Sequence, residues 1–138
     1  MHLIFETRLF HRWRSRAGLT ETDLCKAVLE MSQGLVDADL GGGIVKKRIG
    51  AAGRGKRGGF RTLAATRQDL RWFFVFGFAK NDRSNITAKE LEALQALACD
   101  LLSLTPRQVR QAVDDGTLQE IPNDPQDSLS KPTPGRRP

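Results

Sequence analysis

The sequence predicts an α+β fold: a small, mostly antiparallel (mixed) β-sheet packed against two N-terminal helices and C-terminal helices. Three observations carry this. Two segments with helical apolar spacing precede a run of strand-like segments joined by hairpin-length links. The run Arg71–Ala79, RWFFVFGFA, is apolar at nearly every position and reads as a central strand covered on both sides. Two capping boxes, Thr87 with Glu90 and Thr105 with Gln108, then open helices near the C-terminus.

The elements follow in chain order. Leu3 to Glu6 is a short first strand. Thr7 caps a basic helix whose Leu9, Phe10 and Trp13 face the core while Arg8, Arg12, Arg14 and Arg16 face water, and Gly18 ends it. Thr20 opens a second helix with Leu24, Val28, Met31 and Leu35 spaced for one buried face, and Gly34 marks its end. After Gly41–Gly43, Ile44 to Ile49 is a half-buried strand whose Val45 and Ile49 alternate with Lys46 and Arg48. The loop from Gly50 to Gly59 leads into a strand from Phe60 to Thr66, and Gln68-Asp69 turns into the central strand. Leu91, Leu94, Ala98 and Leu101 stripe the helix opened by Thr87. Thr105-Pro106 starts a short last helix, with a Leu104–Val109 staple and a stop at Gly116. From Pro122 onward the proline, polar and charged residues cannot build a core, so the expected organisation is one domain over 1–121 and a disordered tail over 122–138.

The charge is unevenly placed. The chain carries 22 Lys and Arg against 16 Asp and Glu, a net +6, and a pI near 9.9. Lys46, Lys47, Arg48, Arg54, Lys56, Arg57, Arg61, Arg67, Arg71, Lys80 and Arg83 crowd the middle, opposed there by Asp69 and Asp82. Such a basic surface fits an anionic partner, nucleic acid before others. No apolar run has the length of a membrane span, and Met1–Phe5 is too short for the core of a signal peptide. Cys25 and Cys99 fall on apolar helix stripes and read as buried thiols of a cytoplasmic protein. No Cys/His cluster suggests zinc, and no cofactor is expected; His2 and His11 read as surface or partly buried structural residues.

The glycine-rich loop resembles two nucleotide motifs. Gly50–Lys56 reads G-x-x-x-x-G-K and Gly53–Gly58 reads G-x-G-x-x-G. Both motifs place phosphate on a helix N-terminus, and the first needs Ser or Thr after the lysine. Here Arg57 follows Lys56 and a strand follows the loop, so neither nucleotide reading holds.

Gly34–Gly43, Lys46-Lys47-Arg48, Gly53–Thr62 and Phe74–Asn81 (FVFGFAKN) together resemble the RelE/HigB toxins of bacterial type II toxin–antitoxin systems, over about residues 3–121. The resemblance is strongest to the HigB-like branch with a G-K-x-G-G-x-R loop. It implies an mRNA endonuclease that enters the ribosomal A site and is silenced by a cognate antitoxin, here expected to be a helix-turn-helix protein. It implies Arg61 as transition-state clamp, Lys80 as the lysine ending the central strand, and Lys46 and Arg48 as the basic strand positions. Lys46 is the better proton acceptor if neighbouring cations destabilise its ammonium. Arg54, Lys56, Arg57, Lys47, Asn81 and Arg83 are expected to grip RNA or ribosome. Relatives carry an arginine after the Lys80 position and a tyrosine near the start of the last helix; Asn81 and Thr87 stand there, and the chain has no tyrosine. Phe60, Phe78 and Trp72 read as core residues before they read as rings for stacking on a base. Two other functions share these features: a gyrase-poisoning inhibitor of the ParE kind, and a basic RNA-binding module that does not cleave.

Overall fold

A computed structural model describes residues 2–50, 59–67 and 70–122. Its elements are β1 (Leu3–Thr7), α1 (Arg8–Ala17), α2 (Glu21–Ser32), β2 (Ala38–Gly41), β3 (Ile44–Ile49), β4 (Phe60–Arg67), β5 (Arg71–Ala79), α3 (Ala88–Leu102), α4 (Pro106–Asp114) and β6 (Leu118–Ile121). The strands form one mixed sheet in the order β2-β3-β4-β5-β1-β6. β1 runs parallel to β5 and antiparallel to β6, and the remaining pairs are antiparallel. The α+β expectation holds, with β2 and β6 as additional edge strands.

Helices begin where the sequence places their caps. The side chains of Thr7, Thr20, Thr87 and Thr105 each accept a backbone N–H of the first turn. Thr20, Thr87 and Thr105 complete capping boxes with Asp23, Glu90 and Gln108. Each satisfies donors that a helix start otherwise leaves open.

The sheet has a helical layer on either face. Phe10, Leu24, Val28 and Met31 of α1 and α2 pack with Ile4, Phe60, Ala64, Trp72 and Phe74. Ala98, Leu101, Leu102 and Val109 of α3 and α4 pack with Phe5, Ile44, Leu63, Ala65, Phe73 and Val75. β5 is therefore buried on both faces, which is why its sequence is apolar almost throughout. A bulge resets its alternation: Leu63 pairs with Phe76 and Ala64 with Phe74, leaving Val75 as the extra residue. Phe76 then joins the α3 side, while Gly77 turns toward α1. Trp13 lies on that glycine so closely that a Cβ there would be 2.2 Å from its ring. Residue 77 has to be glycine for α1 to dock.

The three glycines Gly41–Gly43 are structural too. All have positive φ, and a Cβ on Gly42 would meet Gln95 at 2.8 Å and one on Gly43 would meet Leu102 at 2.9 Å. Gln95 Nε2 donates to the carbonyls of Leu40 and Gly41 at 3.1 and 3.3 Å. This turn ties the β2–β3 hairpin to α3.

Several side-chain expectations are corrected. Leu9 is 71% exposed rather than buried, and Arg14, expected in water, is 7% exposed. The reason is Glu6, fully buried on β1: Arg14 Nε and Nη2 donate to its two carboxylate oxygens at 2.8 and 2.7 Å. Arg14 Nη1 donates to the Leu19 carbonyl at 3.1 Å, and His11 Nδ1 lies 2.9 Å from Glu6 Oε2. The hydrogen bond to Glu6 raises the Arg14 pKa above its ordinary value against the cost of burial. Rotating α1 to reach Glu6 carries Leu9 outward. Leu35 is 56% exposed because α2 stops at Ser32, before the stripe reaches it. Cys99 is exposed on α3, and Cys25, half-buried, donates from Sγ to the Pro122 carbonyl; neither is in a disulfide. The turn expected at Gln68-Asp69 and the tail from 123 onward lie outside the described residues.

Candidate nucleic-acid interface

Strand register assembles the cations. Residues directly opposite each other on antiparallel strands share a face, with Cβ atoms about 5 Å apart. Lys46 on β3 pairs with Leu63 on β4, which pairs with Phe76 on β5. Two residues along, Arg48 pairs with Arg61, which pairs with Phe78. Since Leu63 and Phe76 pack toward α3, both rows belong to the α3 side of the sheet. Lys46 and Arg61 are half-buried and Arg48 is exposed. The structure gives the Lys46 ammonium no partner among the described residues. Asp37 accepts the Arg48 backbone N–H, holding the open end of β3 beyond its pairing with β2.

Lys80 follows directly on β5 at the same end of the sheet. Its N–H donates to the Gly59 carbonyl at 3.0 Å, and its exposed ammonium lies 3.4 Å from the Ser84 carbonyl. Asn81 is exposed in the turn that follows. Thus β3 and β4 place Lys46, Arg48 and Arg61 on one face, and the turn after β5 places Lys80 at the end of their rows.

Lys47 does not join them. Alternation turns it to the other face, where Nζ contacts Glu30 Oε1 at 3.0 Å and donates to the Leu35 carbonyl at 2.9 Å. Its side chain is 12% exposed. Arg54, Lys56 and Arg57 lie outside the described residues.

Arg83 reaches the site but is held by protein groups. Nη1 and Nη2 donate to Glu90 at 3.0 and 2.5 Å, Nε donates to the Asn85 carbonyl at 2.9 Å, and the guanidinium lies over the Phe76 and Phe78 rings. Neither Phe76 nor the Glu90 partnership was expected from sequence. The bulge that places Phe76 leaves no local mark, whereas the capping box at Glu90 was a visible sign that this carboxylate is fixed. Arg83 and the Thr87 backbone hold the Glu90 carboxyl at about 2, below its ordinary 4.5. A depressed carboxylate stabilises the fold above its unfolded pKa and loses that contribution as pH falls through the folded one. The latch between the 80–87 turn and α3 is therefore expected to hold at neutral pH and to loosen between about pH 4.5 and 2. Following the Arg83 Nε resonance by NMR through an acid titration checks this; loosening already above pH 5 would refute it.

A cleft of about 350 Å³ between α2 and the end of β3, lined by Asp23, Lys26, Ala27, Glu30, Arg48, Ile49 and Gly50, shares Arg48 with the cation rows. Its carboxylates offset its cations, and both are engaged, Asp23 in the α2 cap and Glu30 with Lys47. It offers a polyanion no net attraction. Among the described residues no three His, Cys, Asp or Glu side chains converge as metal ligands. None of the helices described is long and apolar enough to cross a membrane.

Residues 2–121 match the family model described as the RelE toxin of the RelE/RelB toxin–antitoxin system. Comparison with curated proteins gives no match.

Proposed function

Because the chain belongs to the RelE toxin family, we propose that it is a ribosome-dependent mRNA endonuclease, acting in the A site and held inactive by a cognate antitoxin. The family pairs its toxins with a RelB antitoxin; a helix-turn-helix protein is our expectation for the partner of this chain. Translating ribosomes place the work in the cytoplasm. The observation that carries the nuclease reading is the pair of cross-sheet rows, with Lys46, Arg48 and Arg61 on one face and Lys80 at their end.

These groups suit cleavage by the message's own 2′-hydroxyl. The 2′-oxygen forms a bond to the adjacent phosphorus as the bond to the 5′-oxygen breaks, giving a cyclic phosphate and a free 5′-hydroxyl. Lys46 accepts the 2′ proton when its side chain is the unprotonated amine. Arg61 binds the phosphoryl oxygens, on which negative charge builds, through a planar fork that reaches two at once. Arg48 and Lys80 hold the flanking phosphates in line. The leaving 5′-oxygen takes up a proton as it departs, from a donor not assigned to a residue.

Since side-chain cations carry the charge stabilisation in this scheme, cleavage of message on translating ribosomes is expected to proceed undiminished in EDTA. The upstream fragment should end in a cyclic or 3′ phosphate. Loss of cutting on chelation, restored by Mg²⁺ once ribosome integrity is controlled for, would overturn it. Intact message beside poisoned gyrase would instead favour the ParE-like reading.

A further inference from the structure

The charge and edges of Arg83 are already committed. Its two terminal nitrogens bind the two oxygens of Glu90, and Nε binds the Asn85 carbonyl. Glu90 is itself fixed, accepting the Thr87 N–H at 2.8 Å. Its guanidinium carbon lies 5.5 Å from the Phe78 ring centre and 5.9 Å from that of Phe76, in cation–π range of both. Yet 33% of the side chain still reaches solvent. With the edges bonded, the solvent-reaching part of the plane is what is left for a ligand. It lies beside the rows that carry Lys46, Arg48 and Arg61.

A guanidinium plane is one of the surfaces on which unstacked RNA bases rest. The aromatic rings that sequence offered for that task are in the core: Phe60 and Trp72 are 1% exposed and Phe78 4%. We propose that Arg83, fixed beside Phe76 and Phe78 by Glu90, is the shelf on which a nucleobase next to the cleaved phosphate stacks. This rests on the RNA-cleaving reading above. Neutralised by Glu90, the shelf contributes stacking rather than phosphate attraction, and because every base has a π-face it tolerates all four. Codon preference then comes from other contacts.

The test is single-turnover cleavage, at varied toxin and salt concentration, of ribosome-bound message carrying an abasic ribose at each codon position in turn. With the unaltered protein, one abasic position should weaken saturation or the saturated rate about tenfold, the scale of one lost base stack. Arg83→Ala should show a similar loss on intact message, and the same abasic substitution should then cost nothing more. Its salt dependence should match the unaltered protein's, since no phosphate contact is lost. Arg83→Lys, which keeps the charge without the plane, should not rescue. Should Arg83→Ala fail to fold, the abasic scan of the unaltered protein and Arg83→Lys remain decisive. The proposal falls if no abasic position matters, if the abasic and Arg83→Ala losses simply multiply, if the salt slope drops by about one, or if Arg83→Lys restores full activity. An unaltered protein that leaves intact message uncut overturns the nuclease reading itself, and the shelf with it.

Discussion

Replacing Arg61 with alanine is expected to slow single-turnover cleavage by about a hundredfold or more, the usual scale for losing a preorganised contact to transition-state charge. Arg61 sits in the middle of its row, opposite Arg48 on one side and Phe78 on the other, and is half-buried rather than freely solvated. A charge so placed acts through a fixed geometry. Arg61→Lys should therefore recover only part of the rate, because an ammonium is a point charge without the fork. Ribosome affinity should fall much less, since many other cations share it. Lys56→Ala should do the reverse, weakening association in a salt-dependent way while sparing the rate at saturating toxin. If both variants lost affinity and kept the saturated rate, Arg61 would be one more phosphate contact and the chemistry would lie elsewhere.

Arg14→Ala should be strongly destabilising, by about 3–5 kcal/mol, because it removes the main partner of a buried carboxylate. Glu6 is wholly buried and accepts two bonds from Arg14, one to each oxygen, with His11 Nδ1 also beside Oε2. The melting temperature should drop by about 10–20 °C in consequence. Replacing both partners with leucine should cost less than Arg14→Ala alone, since no charge is then left without a counterpart. Thermal unfolding followed by circular dichroism reads both. A drop of less than about 2 °C for Arg14→Ala would mean that water or His11 satisfies Glu6 in its place.

The helices were legible because their signals are local. A threonine with a carboxylate or amide three residues on marks a helix start whatever lies around it, and Thr20, Thr87 and Thr105 are used that way. The spans of β3 and β5 were legible for a similar reason, as alternation or continuous apolarity bounded by turns. β2 and β6 were not. Each has four residues with little apolar pattern, and each exists because a longer strand lies beside it, β3 for one and β1 for the other. The orientation of α1 was misread because Leu9 and Arg14 suit opposite ends of a hydrophobicity scale, while the deciding partner, Glu6, lies on another element.

For the site, the sequence by itself determined the family, the cation inventory and, through the period of two along β3, that Lys46 and Arg48 share a face that Lys47 leaves. The tertiary structure alone decided which cations meet. Arg61 faces Arg48 because of the β3–β4 register, and Phe76 lies beneath Arg83 because the bulge at Val75 shifts the rest of β5 by one residue. Arg83 is bound by Glu90 rather than open to phosphate because the start of α3 folds back against the end of β5. Caps and alternation are set by a residue's nearest neighbours in the chain. Register, bulges and ion pairs are set by groups that become neighbours only once the sheet has formed, and their energies do not appear in any single segment.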